Sequence, residues 1–545
     1  MSDWWKKEIG YQIYPRSFMD SNHDGIGDIP GIISKLDYLQ KLGITLLWIS
    51  PFYKSPMADN GYDISDYYDI NPEFGTIEDV EKLIEEAKKR NIKIIMDLVV
   101  NHCSDEHAMF QDALHNANSP YHDYFTFKAP VDGHEPTNWR ACFGGNVWTK
   151  VPDRDEYYYH SFAVKQPDWN WENPKVREYI FNMINWWLDK GIAGFRVDAI
   201  NFLKKNQDWP MGKVDGADGL AAGHFFSANQ KGIEEFFTEM KEKTFEKHNC
   251  VTVAEAMGVP YDRLGTFIGD TGGFSMMFDF EYCNFDVMQG TYYKPRNWDV
   301  PFFRERLFNS QKEIQKIGWQ APFIENHDIQ RSPNKFIQDP SKFTFEAKSM
   351  LAGMYFNLRG TPFIYQGQEI GMENSNRLSI DEFDDISTKN QYNRALQEGI
   401  SKEDALMYCN RRSRDNARTP MQWDHSEYAG FSDHKPWLAM SGNHDRINVE
   451  SQINDPHSLF NFYAKMIKIR KQEETLVEGI FKEIEDLPDC IIAYQRIYQT
   501  EEITCICNFS DTETEFKMYD GKILLNNYTD YNKVLKPYQF VMIKK

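Results

Sequence analysis

Short apolar runs alternate with helix-period stretches along almost the whole chain. Eight runs have strand length and strand composition: GYQIYP (10–15), TLLWISP (45–51), KIIMDLVV (93–100), AGFRVDAI (193–200), CVTVAEA (250–256), FSMMFDF (274–280), APFIE (321–325) and PFIYQG (362–367). Each is rich in β-branched or aromatic residues and is followed by polar or Gly-rich residues. Between them the apolar positions fall at helical spacing. Ile29, Ile32, Ile33, Leu36, Leu39 and Leu42 form one stripe that Gly43 closes. Over 77–90, Val80, Leu83, Ile84 and Ala87 face inward behind Thr76, the expected N-cap. Asn173-Pro174 opens and Lys190-Gly191 closes a helix over 174–190. The same period predicts helices over 228–247, 301–316, 342–358 and 457–471.

Eight strand-then-helix units imply a parallel sheet, and eight in one chain favour closure into an α/β fold of the (β/α)₈ TIM-barrel type. No Gly-x-Gly-x-x-Gly loop follows the first strand, so a dinucleotide fold has no support. Three stretches interrupt the rhythm. Residues 104–172 are aromatic and Pro/Gly-punctuated and read as a loop-rich inserted domain after strand three. Residues 371–450 are polar and irregular, an excursion after strand eight. From 475 to 545 the alternation in IIAYQRI, EITCICNF and FVMIKK predicts a small antiparallel β domain. The barrel is thus assigned 1–103 and 173–474.

Composition narrows the partners. The formal net charge of −21 would repel a nucleic-acid backbone. The longest apolar runs, such as 44–52, are strand-sized, so no membrane partner is expected. The opening MSDWWKKEIG lacks the apolar stretch of a signal peptide, which points to a cytoplasmic chain, expected to act as a monomer. Eight scattered cysteines without a Cys-x-x-Cys pair suggest buried thiols rather than a zinc site or disulfide framework. Aromatic residues make up 15%, which serves a large core as readily as sugar-stacking platforms.

Barrel chemistry belongs at the C-terminal ends of strands. Here those ends carry acids: Asp97 in strand three, Asp198 ending strand four, Glu255 ending strand five and Asp328 after strand seven. One such acid is usually a cap or a loop salt bridge, but four are hard to assign to chance. Arg196 and Asp198 share a strand face, so the arginine is expected to keep Asp198 ionised, as a nucleophile requires. Glu255 would need a raised pKa to begin protonated. A carboxylate nucleophile with a carboxylic acid across the bond is the machinery of glycoside hydrolysis. His102 and His327 flank the same mouth. A lone strand-end histidine is commonly just a satisfied polar residue, but His327 beside Asp328 in ENHD suits a hydroxyl-binding pair.

These segments resemble glycoside hydrolase family 13, the α-amylase family. DLVVNH (97–102), GFRVDAI (194–200), the Glu255 strand and ENHD (325–328) match its four signature segments in order. QPDWNW (166–171), QIYPRSFMDSNHDGIGD (12–28), NGYDISDY (60–67) and RDNARTPMQWD (414–424) are similar to its oligo-1,6-glucosidase branch. The resemblance implies a retaining exo-acting α-glucosidase acting on short isomalto- and malto-oligosaccharides, with Asp198 as nucleophile, Glu255 as acid/base and Asp328 as transition-state stabiliser. It implies that Arg196, His102 and His327 hold the glucose, with Tyr62, Phe162 and Gln166 near it. Asp63 and Arg414 are expected to close the pocket at the non-reducing end.

No catalytic cofactor is implied, but the branch carries a structural metal, here Ca²⁺ on Asp20, Asn22, Asp24, Asp28 and the Ile26 carbonyl. Gly31 stands where an EF-hand has its twelfth-position acid, so the loop is not an EF-hand, and a metal-free Asx-rich turn is the alternative. Two departures matter. Ile329-Gln330-Arg331 replaces the usual Gln-Pro-Arg after ENHD and is expected to alter the rim. Ala199 stands where valine accompanies α-1,6 preference, so mixed α-1,6 and α-1,4 activity is expected. Trehalose-6-phosphate hydrolysis, sucrose hydrolysis or isomerisation, and glucosyl transfer are sibling chemistries that the acceptor side decides. A phosphate pocket would need a basic cluster; Lys204 and Lys205 lie near the site in sequence, but two lysines usually mark a solvated face.

Overall fold

The computed structural model describes residues 3–288 and 291–545. Met1 and Ser2, the start of the segment read above as lacking a signal peptide, lie outside the described residues. Seven parallel strands form the central sheet: β1 (Gly10–Ile13), β2 (Leu46–Ile49), β3 (Lys93–Leu98), β4 (Gly194–Val197), β5 (Val251–Glu255), β6 (Met276–Phe278) and β7 (Phe363–Tyr365). Their order is β6-β5-β4-β3-β2-β1-β7. Residues of β1 to β6 are buried almost throughout, as expected of strands covered by helices on one side and filling a barrel on the other.

The expected strand at 321–325 is not a regular strand, yet its segment closes the barrel. Ala321 donates its N–H to the Met277 carbonyl (2.8 Å) on one side, and Phe363 donates to the Pro322 carbonyl (2.9 Å) on the other. Pro322 has no N–H to return, so two isolated sets of bonds replace a continuous ladder.

The helices follow their end signals. Thr76 and Asp79 cap Ile77–Lys89 reciprocally, and Asn173 caps Pro174–Asp189. The 29–42 stripe is two helices, Ile29–Ser34 and Leu36–Leu42, broken at Lys35, whose ammonium sits 4.3 Å from the Trp423 ring centre. Residues 104–172 hold the helix Ala108–His115 and four very short strands, three of them paired antiparallel with one another. The stretch 371–450, read as irregular, contains two full helices, Ile386–Gln397 and Lys402–Arg412. Each buries only two residues, so neither shows an apolar stripe in sequence; the Asp385 and Ser401 side chains cap their first turns. A five-stranded antiparallel sheet ends the chain: β8 (Ile480–Glu483), β9 (Ile491–Tyr498), β10 (Glu501–Asn508), β11 (Lys522–Asn526) and β12 (Phe540–Lys544), in the order β8-β9-β10-β12-β11. Among the described residues no helix is long and apolar enough to cross a membrane.

Candidate active site

Strand register assembles the site. Arg196 on β4 lies opposite Asp97 on β3, and Val197 lies opposite Ala254 on β5. Continuing that register one residue places Asp198 opposite Glu255 at the C-terminal edge of the sheet. Arg196 then forms a fork among three carboxylates. Nη1 reaches Asp97 Oδ1 (2.5 Å) and Asp198 Oδ1 (2.7 Å), and Nη2 reaches Glu255 Oε1 (2.6 Å). The arginine side chain is only 1% exposed while Asp198 and Glu255 are each 11% exposed, so the cation is sealed below and the two acids face the opening. Asp97 is fully buried; Trp48 Nε1 and the Tyr62 hydroxyl donate to its other oxygen, each at 3.0 Å.

One guanidinium cannot neutralise three carboxylates. Burial is the largest influence on Asp198 and raises its pKa well above the carboxylate range; Arg196 opposes, and the charges of Glu255 and Asp97 add to the rise. The same balance places Asp97 at about 6. The expectation that Arg196 keeps Asp198 ionised is therefore corrected: its charge is divided among three acids, and Asp198 and Asp97 hold their protons more tightly than free carboxyl groups do.

Ala199 follows in the left-handed region, φ 42°, and its N–H donates to Glu255 Oε2 (3.0 Å). The turn after the strand thus fixes the second oxygen of the acid opposite.

Asp328 meets a different environment. Arg418 Nη2 lies at 2.7 Å, Arg414 Nη1 at 3.4 Å and His327 Nε2 at 3.3 Å. Burial would raise Asp328, but these neighbours outweigh it and hold the carboxyl well below its usual range. Burial pushes His327 down to about 3 and His102 to about 4, so both imidazoles are neutral near pH 7 and the two arginines supply the positive charge beside Asp328. His327 is held by Gln12 on Nδ1 (2.8 Å) and stacks on Tyr62 with ring centres 5.2 Å apart. His102 packs against Phe162 at 5.0 Å and meets Gln166 at 3.1 Å through Nε2. Gln166 is wholly buried and links His102 to Asp59 rather than lining the opening.

Asp63 is corrected. It does not meet Arg414; its carboxylate accepts from Ser55 Oγ (3.1 Å), Ala58 N–H (2.8 Å) and Asp59 N–H (2.9 Å), bracing its own loop. The carboxylate beside Arg414 is Asp59, at 3.1 Å from Nη2. Asp385 completes the grip at 2.7 Å on the same nitrogen and 3.0 Å on Nε. Asp59, Asp385 and Arg418 were missed in the sequence. Arg418 had a signal, since it lies one helical turn after Arg414 in RDNAR and so shares its face. Asp385 reads only as a helix cap, and Asp59 sits four residues from the acid chosen.

Ile329, Gln330 and Arg331 are corrected too. All three are buried, and Arg331 reaches Glu325 (3.2 Å) and the Gln366 carbonyl (2.7 Å) away from the rim. Lys204 pairs with Glu172 (2.8 Å). Lys205 is buried, not solvated, because Asp168 (2.7 Å) and Asn101 Oδ1 (2.9 Å) receive its ammonium.

In the 20–28 loop, Gly25 takes φ +86° and donates to Asp20 Oδ2 (2.9 Å). Asp20 also accepts from the Asn22 and His23 N–H groups, and Asp28 accepts from Gly31 N–H at the helix start. The oxygen-only donor set and its spacing fit a hard divalent cation in kind. As placed, these oxygens accept N–H bonds, and among the described residues no three His, Cys, Asp or Glu side chains converge on a metal-sized gap.

Two acids at a barrel mouth, bridged by a buried arginine and flanked by a third acid held between arginines, define the site of a carboxylate glycoside hydrolase. The catalytic-domain model of the α-amylase family matches residues 12–479, and the chain belongs to that family and is a glycoside hydrolase. An oligo-1,6-glucosidase of Halalkalibacterium halodurans is 42% identical over 97% of this chain and 95% of its own length. The trehalose-6-phosphate hydrolase of Bacillus subtilis is 38% identical, over 99% and 98%. The isomaltulose synthase SmuA from Protaminobacter rubrum superposes with a TM-score of 0.95 at 36% identity, covering 100% of this chain and 99% of that one.

Proposed function

We propose that this glycoside hydrolase is a retaining exo-α-glucosidase that releases glucose from the non-reducing end of short isomalto- and malto-oligosaccharides. The observation that carries the reading is the Arg196 fork joining Asp198 and Glu255. A shared guanidinium favours the closer of the two carboxylate spacings used by glycosidases, about 5 Å rather than roughly 6.5–9.5 Å. Asp198 attacks the anomeric carbon as Glu255 gives its proton to the departing oxygen; Glu255 then takes a proton from water, which releases glucose from the Asp198 ester. One proton on this pair of acids is the charge state the first step needs. Asp328, held ionised, bonds the sugar hydroxyls and opposes positive charge at the anomeric carbon. Arg196, His102 and His327 position the glucose, and Asp59, Asp385 and Arg414 close the pocket beyond it. Lys204 and Lys205 are both ion-paired, which favours neutral substrates over phosphorylated ones. Initial rates on isomaltose, maltose, sucrose, trehalose and trehalose 6-phosphate test this: turnover of the first two should dominate, and predominant turnover of trehalose 6-phosphate would overturn it.

Asp59→Asn should lower kcat/KM 10- to 100-fold, roughly 1.4–2.8 kcal/mol of lost transition-state binding. Asp63→Asn should leave kcat and KM within a few-fold but cost about 1–3 kcal/mol of stability, since the amide NH2 must face one of two backbone N–H donors that bond different oxygens, that of Ala58 or that of Asp59. Burial raises Asp63 to about 6. The folded state therefore binds the proton more tightly than the unfolded chain, and the stability from this group is lost as pH rises from ~4 through about 6. Thermal melts across that window should show this slope in the parent and not in Asp63→Asn.

Ala199→Val should raise the ratio of isomaltose to maltose turnover, by crowding the subsite boundary. It should also cost on the order of 1 kcal/mol, because a β-branched residue is strained at positive φ. Competition assays between the two sugars read the ratio directly.

The 20–28 loop is proposed to take a structural Ca²⁺ on Asp20, Asn22, Asp24, Asp28 and the Ile26 carbonyl, tightening the turn and touching no catalytic group. Calcium at 100 times its Kd should stabilise by about 2.7 kcal/mol. A melting temperature identical in calcium and in chelator would exclude it. A cytoplasmic setting is supported by the cysteines, all eight of which are free.

A further inference from the structure

A cavity of about 210 Å³ lies at the barrel mouth, over the ends of β5 and β6. Strand register sets its place. Glu255 on β5 lies opposite Phe278 on β6. Met257 and Phe280 each follow by two residues, and both line the cavity just beyond the acid. Met257 is 46% exposed, a large apolar side chain held open at the lip. Its backbone is fixed, since the Met257 carbonyl accepts from Asn201 Nδ2 (3.0 Å) and Asn229 Nδ2 (3.3 Å). Asn201 comes three residues after Asp198, so the lip is tied to the turn that follows the nucleophile.

The topology also says which way a substrate runs. The glucose pocket is closed by Asp59, Asp385 and Arg414. The loop carrying Asp59 follows β2, and in a closed barrel of eight segments β2 and β6 face each other across the mouth. A chain whose non-reducing end meets Asp59 therefore extends toward β6. The departing oxygen must meet Glu255, so the ring bonded to it sits at Glu255 itself. Glu255 does not line the β6 cavity, which reaches outward to Arg306 on the helix Val300–Ile317. The ring that can enter it is the next one.

The lining suits one sugar ring. Its volume is below the roughly 300 Å³ at which pockets for drug-sized ligands begin. Met257 and Phe280 offer apolar surface to the C–H face of a ring. Among the described residues the Asn284 side chain meets only the Met257 sulfur (3.7 Å), which leaves its carbonyl oxygen to accept from a hydroxyl. Arg296, 5.7 Å from the Phe302 ring centre, supplies donors, while Glu281 and Arg306 neutralise each other at 2.7 Å.

We infer that this cavity is a leaving-side subsite for the third glucose unit of a trisaccharide, with Met257 and Phe280 as its platform and Asn284 as a hydroxyl partner. The inference rests on the exo-glucosidase activity proposed above and adds a preference for chain length. Methionine is flexible at three bonds, so the platform adapts to rings arriving through α-1,6 or α-1,4 bonds.

Initial rates on isomaltose and isomaltotriose test it through the ratio of their kcat/KM values. The parent should favour the trisaccharide by about tenfold, and that ratio should fall at least fivefold in both Met257→Ala and Asn284→Ala. Both side chains are exposed, so the variants should fold. A parent ratio near one, or variants that lose activity on both sugars alike and keep the ratio, would overturn the subsite and leave the glucosidase activity standing. Failure of the parent to cut either sugar would overturn the glucosidase activity, and the subsite with it.

Discussion

Asp198→Asn is expected to lower kcat by about 10⁴-fold or more, a barrier increase of roughly 5.5 kcal/mol, while the protein folds normally. An amide is nearly isosteric, so Arg196 keeps a partner, but it cannot form the glycosyl ester. The same change removes one of three acids crowded on a single cation. Burial and the charges of Glu255 and Asp97 already disfavour an ionised Asp198. The melting temperature should therefore hold or rise, while activity disappears. A site that trades stability for charge predicts that pairing, whereas a structural Asp198 predicts loss of both.

Arg196→Gln is the second large effect, and it should reverse the pattern. Removing the fork leaves Asp97, Asp198 and Glu255 facing one another in a buried site without a counter-charge. Losing one partner of a buried ion pair costs about 3–5 kcal/mol, so both activity and stability should fall. The loss must depend on pH. Without the arginine the three acids bind protons more tightly in the folded protein than in the unfolded chain. The penalty then grows as pH rises above the ordinary carboxylate range of ~4, and it shrinks in acid where the groups are protonated. Chemical denaturation at pH 4.5 and pH 7.5 should show a wider gap from the parent at the higher pH. An equal gap at both would mean that the arginine acts through packing alone.

The acids proposed as catalytic were legible because the strands that carry them are. A buried parallel strand reads as an apolar run, and the acid that interrupts its end stands out: Asp198 after GFRV, Glu255 after VTVA. The site's far wall was not legible in the same way. Asp59 and Asp63 lie in one loop, four residues apart, and only tertiary packing shows that Asp59 faces Arg414 while Asp63 faces its own backbone. Asp385 looked like a cap and is one, but its carboxylate also binds Arg414. Lys205 looked solvated because nothing local announces that Asp168 lies beside it.

Misread elements share a reason: local signals were overridden by tertiary ones. The 321–325 segment is apolar and strand-like, but Pro322 denies it a ladder. The helices Ile386–Gln397 and Lys402–Arg412 have caps but little apolar face, so their period was invisible. These two helices lead into the segment that brings Arg414 and Arg418 to Asp328, so the excursion that seemed irregular supplies the arginines of the pocket.

The central claim is that Asp198 attacks the anomeric carbon and that Glu255 serves from the other side of the departing bond. Proton NMR of the first glucose released from isomaltose, recorded before mutarotation, tests it most directly. Two displacements at the anomeric carbon predict α-glucose as the initial product; β-glucose appearing first would mean a single inversion and no ester on Asp198, and would contradict the account.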